Sequence, residues 1–221
     1  MAEILFEDKY LVVAVKPVGY LSEPGPGKNF PAVLQEQLGK PVFTVHRLDK
    51  IVGGVMVFAK DSKTAGKLAN LVAQRDIGKE YLAVLRGVPA EKEATLEDLL
   101  FRDSSKNKTF VVKRMRKGVR DASLQYWHLD TAEKAGQKLS LVRVQLHTGR
   151  THQIRVQFSS RQLPLLGDIR YGSKDPDCTA ALWSWRLCFR HPVTGQTVDC
   201  KRLPDGEYPW NLFDAAQNLA T

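Results

Sequence analysis

The chain is poor in cysteine. Cys178, Cys188 and Cys200 are the three among 221 residues, odd in number and with no Cys-x-x-Cys pair. That excludes a disulfide framework and a cysteine zinc site, and predicts reduced thiols. Long apolar runs are missing too: none approaches the length of a membrane-spanning helix, and Glu3, Glu7, Asp8 and Lys9 make the N-terminus too charged for a signal peptide. A cytoplasmic protein is therefore expected, with no membrane partner. There is no Gly-x-Ser-x-Gly, phosphate-binding loop or dinucleotide fingerprint, so serine-hydrolase and nucleotide-driven mechanisms lack support. Acid is scarce relative to base. Against 33 Lys and Arg stand 24 Asp and Glu, a net charge of +9, which argues for a polyanionic partner.

What is present fits an ordinary globular chain, 43% hydrophobic and 26% charged. No composition break separates domains, so residues 1–221 are expected to form a single domain. Two strands flank a turn at Glu7-Asp8-Lys9, and Pro31 to Leu38 reads as a short helix stopped by Gly39. Phe43 to Leu48 and Gly54 to Ala59 read as strands. Asp61-Ser62 can cap a helix to about Arg75 with Ala65, Leu68, Ala69 and Val72 on its apolar stripe. Further strands are expected at 79–86, 124–129 and 139–146, a helix from near Thr151, and a closing hairpin at 184–200 turning around Thr194-Gly195. Strands in excess of helices, without a βαβ rhythm, predict an α+β fold with a mixed, mainly antiparallel sheet.

The stretch Arg102 to Arg120 holds eight basic side chains against one acid, Asp103. A solvated hairpin or loop would look the same, but in so basic a chain phosphate contact is the expected role, carried by Lys113, Arg114, Arg116 and Lys117.

Chemistry is densest at His46-Arg47-Leu48-Asp49-Lys50, bracketed by apolar residues and followed by Gly53-Gly54. Charged side chains are almost never fully buried unless paired. If the segment is extended, Arg47 and Asp49 share one face while Val45 and Leu48 anchor it. An arginine beside a carboxylate suits an anionic substrate; a surface salt bridge is the bland alternative. A second cluster is Thr148-Gly149-Arg150-Thr151-His152-Gln153-Ile154-Arg155, where a strand passes through a turn into a helix. Backbone N–H groups and two arginines would there offer an anion site. No zinc site is expected from its histidines, since no carboxylate or cysteine stands at ligand spacing. Tyr81, in Lys79-Glu80-Tyr81, reads by spacing alone as a strand aromatic.

In order along the chain, Lys16-Pro17-x-Gly19, His46-Arg47-Leu48-Asp49, Lys79-x-Tyr81-x-Ala83-Val84, Thr148 to Arg155 and Leu166-Gly167-Asp168-x-x-Tyr171-Gly172 resemble the RluA-type pseudouridine synthases. The resemblance runs from about residue 4 to about residue 203. It implies the pseudouridine-synthase fold, with a catalytic cleft across the sheet, and isomerisation of uridine in structured RNA (ribosomal or transfer) without metal or cofactor. The family's aspartate falls on Asp49, its active-site tyrosine on Tyr81 and the basic partner of the aspartate on Arg155. Arg47 would support the flipped nucleotide, a flip required because a stacked base cannot rotate. Arg150 and His152 would contact substrate.

The resemblance further implies a stand-alone catalytic domain, without an S4-type RNA-binding module, acting as a monomer. Two departures stand out. Val52-Gly53-Gly54 replaces the usual Thr-Ser-Gly, expected to loosen the loop or alter substrate choice, and Gln157 replaces a frequent histidine. A non-catalytic RNA-binding or chaperone protein on this fold is the competing reading. A zinc deaminase lacks ligands here.

Overall fold

The computed structural model describes residues 1–219, which comprise eleven strands and four α-helices. In chain order the elements are β1 (Glu3–Glu7), β2 (Leu11–Lys16), α1 (Phe30–Leu38), β3 (Phe43–Thr44), β4 (Gly53–Ala59), α2 (Ser62–Gln74) and β5 (Gly78–Arg86). After them come β6 (Glu93–Asp103), β7 (Lys108–Val112), β8 (Val119–Lys134), β9 (Gln137–Leu146), α3 (Gln153–Ser159), β10 (Leu182–Arg190), β11 (Thr197–Lys201) and α4 (Asp214–Asn218). The fold is α+β and mostly antiparallel, as expected. By their internal contacts the residues group into two compact units, one of residues 1–79 and 183–204, the other of 80–182 and 205–219.

In the first unit β2 lies between β1 and β4, antiparallel to both, and β3 adds antiparallel to β4. β10 joins β4 in parallel and carries β11 antiparallel. Every residue of β2 and β4 is buried, which is why both read as apolar runs without alternation. Leu11, Val13, Val55, Val57, Leu68, Leu187 and Phe189 form the core here, each such side chain contributing about 1.5–3 kcal/mol by leaving water.

Helix α2 starts where Asp61 accepts the Thr64 N–H at 2.7 Å. Its buried stripe centres on Leu68, with Thr64, Ala65, Leu71 and Val72 beside it; Ala69, expected on the stripe, is exposed. At roughly 100° per residue Ala69 is a quarter turn from Leu68, while Leu71 lies within the stripe.

The second unit is an antiparallel sheet ordered β5-β9-β8-β6-β7. One of its cores gathers Leu100 of β6, Ala122 of β8, Val156 of α3 and Tyr171. The basic segment 102–120 is the end of β6, a turn, β7 and an exposed loop at 113–118. β6 escapes a reading by periodicity because its deeply buried residues, Leu96 and Leu100, recur at helical spacing amid acids.

Candidate active site

The conspicuous tetrad of charge is not in a strand. β3 ends at Thr44, and 45–52 form a loop closed by a turn in which the Val52 N–H donates to the Asp49 carbonyl at 2.9 Å. Side-chain alternation therefore does not apply to Arg47 and Asp49. Further along this loop Ser22 holds the chain at Leu48: its hydroxyl donates to the Leu48 carbonyl and accepts the Leu48 N–H at 2.9 Å. Leu48 is buried, as expected of an anchor, and Val45 packs partly buried against the core.

His46 is buried. Its Nε2 accepts the Val57 N–H of β4 at 3.1 Å, so the imidazole continues the edge that β3 abandons. Burial first, and the nearby Lys79 charge second, push its pKa down to about 3. His46 is therefore a neutral acceptor that fastens the loop. Arg47 is half exposed and ion-paired with exposed Glu23 at 3.1 Å.

Lys16, at the end of β2, is fully buried. Its ammonium donates to the carbonyls of Pro17 and Tyr20, each at 2.9 Å, and the Gly19 N–H between them donates to the Lys50 carbonyl at 2.8 Å. Desolvation lowers its pKa to about 8, with the Asp49 carboxylate pulling the other way. The first unit thus sets a buried cation near Asp49, on a turn that is itself tied to Lys50. In the sequence Lys16 stands out only as the first residue of Lys16-Pro17-x-Gly19, and its burial beside Asp49 appears only in the fold.

Gly53 is closely covered. A Cβ there would meet Trp183 Cζ3 at 2.4 Å and Val18 at 3.1 Å. The Trp183 ring fills the space a larger residue would take, and its Nε1 donates to the Arg202 carbonyl at 2.7 Å.

The second unit holds Tyr81, Arg150, His152 and Arg155. Tyr81 is buried on β5, paired with Val144 of β9. α3 begins at Gln153, two residues later than expected, because His152 sits at φ 55°, outside the helical region. The expected open anion site is largely satisfied internally. Gln153 Oε1 accepts the Arg150 N–H at 2.9 Å and the Thr148 hydroxyl at 2.8 Å, and its Nε2 donates to the Ser123 carbonyl at 3.1 Å. Arg150 donates from Nε to the Asp121 carbonyl at 2.8 Å.

Arg155 is buried on α3 and bound by Asp168 along one edge, Nε to Oδ2 at 2.7 Å and Nη2 to Oδ1 at 2.9 Å. Gln157 is buried as well, donating to Asp98 at 2.8 Å and to the Leu96 carbonyl at 3.1 Å. Lys113, Arg114, Arg116 and Lys117 are all exposed, and the Arg116 guanidinium lies 5.0 Å from the Phe101 ring centre. Among the described residues no three His, Cys, Asp or Glu side chains are grouped as metal ligands, and no helix is long and apolar enough to cross a membrane.

Solved structures share this architecture. Human RNA Pseudouridylate Synthase Domain Containing 4 superposes with a TM-score of 0.74 at 25% identity, covering 92% of this chain and 89% of that one. Human RNA Pseudouridylate Synthase Domain Containing 1 gives 0.80 at 23%, covering 93% and 84%, a likeness of fold. The chain thus has the pseudouridine-synthase fold.

Residues 10–160 match the family described as RNA pseudouridylate synthase. The chain is 33% identical to Ribosomal large subunit pseudouridine synthase D of Nitrosomonas europaea, over 98% of this chain and 66% of that protein. It is 31% identical to tRNA pseudouridine synthase C of Salmonella typhi, over 90% and 84%. It therefore spans about two thirds of the length of the former. The chain belongs to the RNA pseudouridylate synthase family, whose members are isomerases converting uridine to pseudouridine in RNA.

Proposed function

We propose that this chain isomerises specific uridines of structured RNA, ribosomal or transfer, to pseudouridine, using Asp49 and no cofactor. The N1–C1′ bond breaks, the base rotates, a C5–C1′ bond forms, and the C5 proton is lost as N1 gains one. Asp49 serves as the carboxylate that attacks or stabilises the sugar while the base is detached. Tyr81 stacks on the uracil, and Arg155 is the basic residue of the reaction. Arg47, Arg150 and His152 hold the displaced nucleotide and its neighbours, while Lys113, Arg114, Arg116 and Lys117 take phosphates.

The observation that carries this reading is the setting of Asp49. Its turn is pinned by Ser22, His46 and its own Val52 contact, with the Lys16 ammonium buried nearby. A carboxylate on a turn held this firmly is suited to chemistry rather than to loose surface pairing. Residues 1–221 are taken as one catalytic domain, acting as a cytoplasmic monomer.

Site-resolved mapping of pseudouridine in total RNA, from cells with and without the protein, tests the reading. Loss of one or a few sites on deletion is expected. RNA binding with an unchanged map would make the protein a binder on this fold instead.

A further inference from the structure

The segment Leu166-Gly167-Asp168-x-x-Tyr171-Gly172 has no task in the reaction described above, yet it surrounds Arg155. Asp168 engages the Nε–Nη2 edge of the guanidinium with two bonds, at 2.7 and 2.9 Å, with 3% of Arg155 and 1% of Asp168 exposed. Two parallel bonds fix both the position and the plane of the group, setting Nη1 on the side away from Asp168. The Tyr171 ring lies over the guanidinium, with 5.0 Å between the guanidinium carbon and the ring centre. A fully buried ion pair is a poor source of stability, since apolar residues of equal volume do as well or better. Fixed geometry is the better reason for it.

The elements that hold Arg155 are themselves held. The Asp168 carbonyl accepts the N–H groups of Tyr171 and Ser173, each at 3.0 Å, and the Ser173 hydroxyl accepts the Gly167 N–H at 3.1 Å. Gly167 sits at φ +74°, and a Cβ there would stand 2.5 Å from the carbonyl oxygens of Cys178 and Thr179, so no side chain fits. The Tyr171 hydroxyl accepts the Thr109 N–H of β7 at 2.9 Å and lies 3.0 Å from His152 Nδ1. Burial raises its pKa, which keeps the phenol protonated and neutral. Arg170 donates to the carbonyls of Lys106 and Asn107, at 3.2 and 3.0 Å, in the turn between β6 and β7. The Thr109 hydroxyl donates to the Thr151 carbonyl at 2.9 Å. One clip thus joins Arg155 to the hairpin that leads into the basic loop.

We propose that Asp168 and Tyr171 are positioning residues for Arg155, Asp168 fixing the guanidinium plane, the Tyr171 ring covering its face, and the Tyr171 hydroxyl tying this cradle to the β6–β7 hairpin. The inference rests on the functional reading above, in which Arg155 acts during isomerisation. A catalytic group displaced by about an ångström loses on the order of a hundredfold in rate. A loosened Arg155 should therefore cost turnover and leave RNA affinity, which comes mainly from exposed cations, in place.

The test uses the full chain and RNA from a strain lacking the protein, labelled with tritium at uridine C5; release of tritium under single-turnover conditions gives the rate. For D168N, similar in shape but uncharged, the expected result is a rate at least tenfold below wild type. RNA affinity should stay within twofold and the melting transition should remain cooperative. Y171F, which keeps the ring and loses the hydroxyl, should lose about three- to tenfold in rate, again without loss of affinity. Should D168N fail to fold, Y171F decides by the same criterion. A folded variant with the wild-type rate, or a loss lying wholly in affinity, overturns the positioning role. If the wild-type chain itself releases no tritium, the functional reading fails, and this is seen separately from any effect of the variants.

Discussion

Trp183 Cζ3 stands 2.4 Å from where a Cβ on Gly53 would lie, so indole and glycine occupy one space in the first unit. The glycine thus follows from the tryptophan. G53S is expected to lose about 1–3 kcal/mol of stability by overpacking. In G53S/W183L the two effects should fail to add, because the smaller residue gives the serine room. Urea unfolding of the four proteins of the cycle reads this directly; strict additivity would show that the two sites do not compete.

His46 makes stability depend on pH in a stated direction. In the unfolded chain it takes a proton below about pH 6.5, whereas in the fold its pKa is pushed down to about 3. Its contribution is therefore complete above 6.5 and is lost as pH falls from 6.5 toward 3, by at most about 1.4 kcal/mol per pH unit. H46Q, which has no proton to gain, should decline less steeply between pH 6.5 and 4. Denaturation at a series of pH values would show equal slopes if His46 were protonated in the fold.

Lys16 should appear in the alkaline limb of activity. Its pKa of about 8 means that the ammonium holding Pro17 and Tyr20 is discharged as pH rises through that value. Turnover is expected to fall there. K16R stays charged throughout, so its profile, if lower overall, should remain flat above pH 8. A K16R profile that falls in parallel with wild type would assign the limb to another group.

The exposed loop at 113–118 should govern the salt dependence of RNA binding. Replacing Lys113, Arg114, Arg116 and Lys117 with glutamine is expected to weaken affinity. The slope of log K against log salt should become shallower by roughly three, if each cation meets one phosphate. Filter binding from 50 to 200 mM salt measures it. An unchanged slope would place the loop away from RNA.

Elements that declare themselves locally were legible in the sequence: the buried runs of β2 and β4, α1 with Pro31 and Gly39, and α2 with its Asp61 cap. The hairpin of β10 and β11 belongs with them. What was not legible depends on partners distant in the chain. Ser22 holds Leu48 from 26 residues away, and Gln153, which takes the Arg150 N–H, is itself held by the Ser123 carbonyl 30 residues away. Trp183 explains Gly53 from the other end of the chain. β6 hides behind buried leucines at helical spacing. For the site, Asp49, Tyr81 and Arg155 were named through resemblance, since spacing alone gave a salt bridge and a strand aromatic. Lys16, Asp168 and Tyr171 were in view as motif residues, but their roles need the distances.

The central claim is that Asp49 carries the isomerisation, and D49N tests it most directly. The side chain keeps its size and loses its charge, on a turn whose neighbours Leu48 and His46 are bonded to Ser22 and Val57. Pseudouridine formed in RNA from a strain lacking the protein would be quantified after incubation with wild type or D49N. RNA affinity and unfolding would be measured on the same samples. The account predicts that D49N folds, binds RNA as wild type does and forms no pseudouridine. Substantial pseudouridine formation by D49N would contradict it.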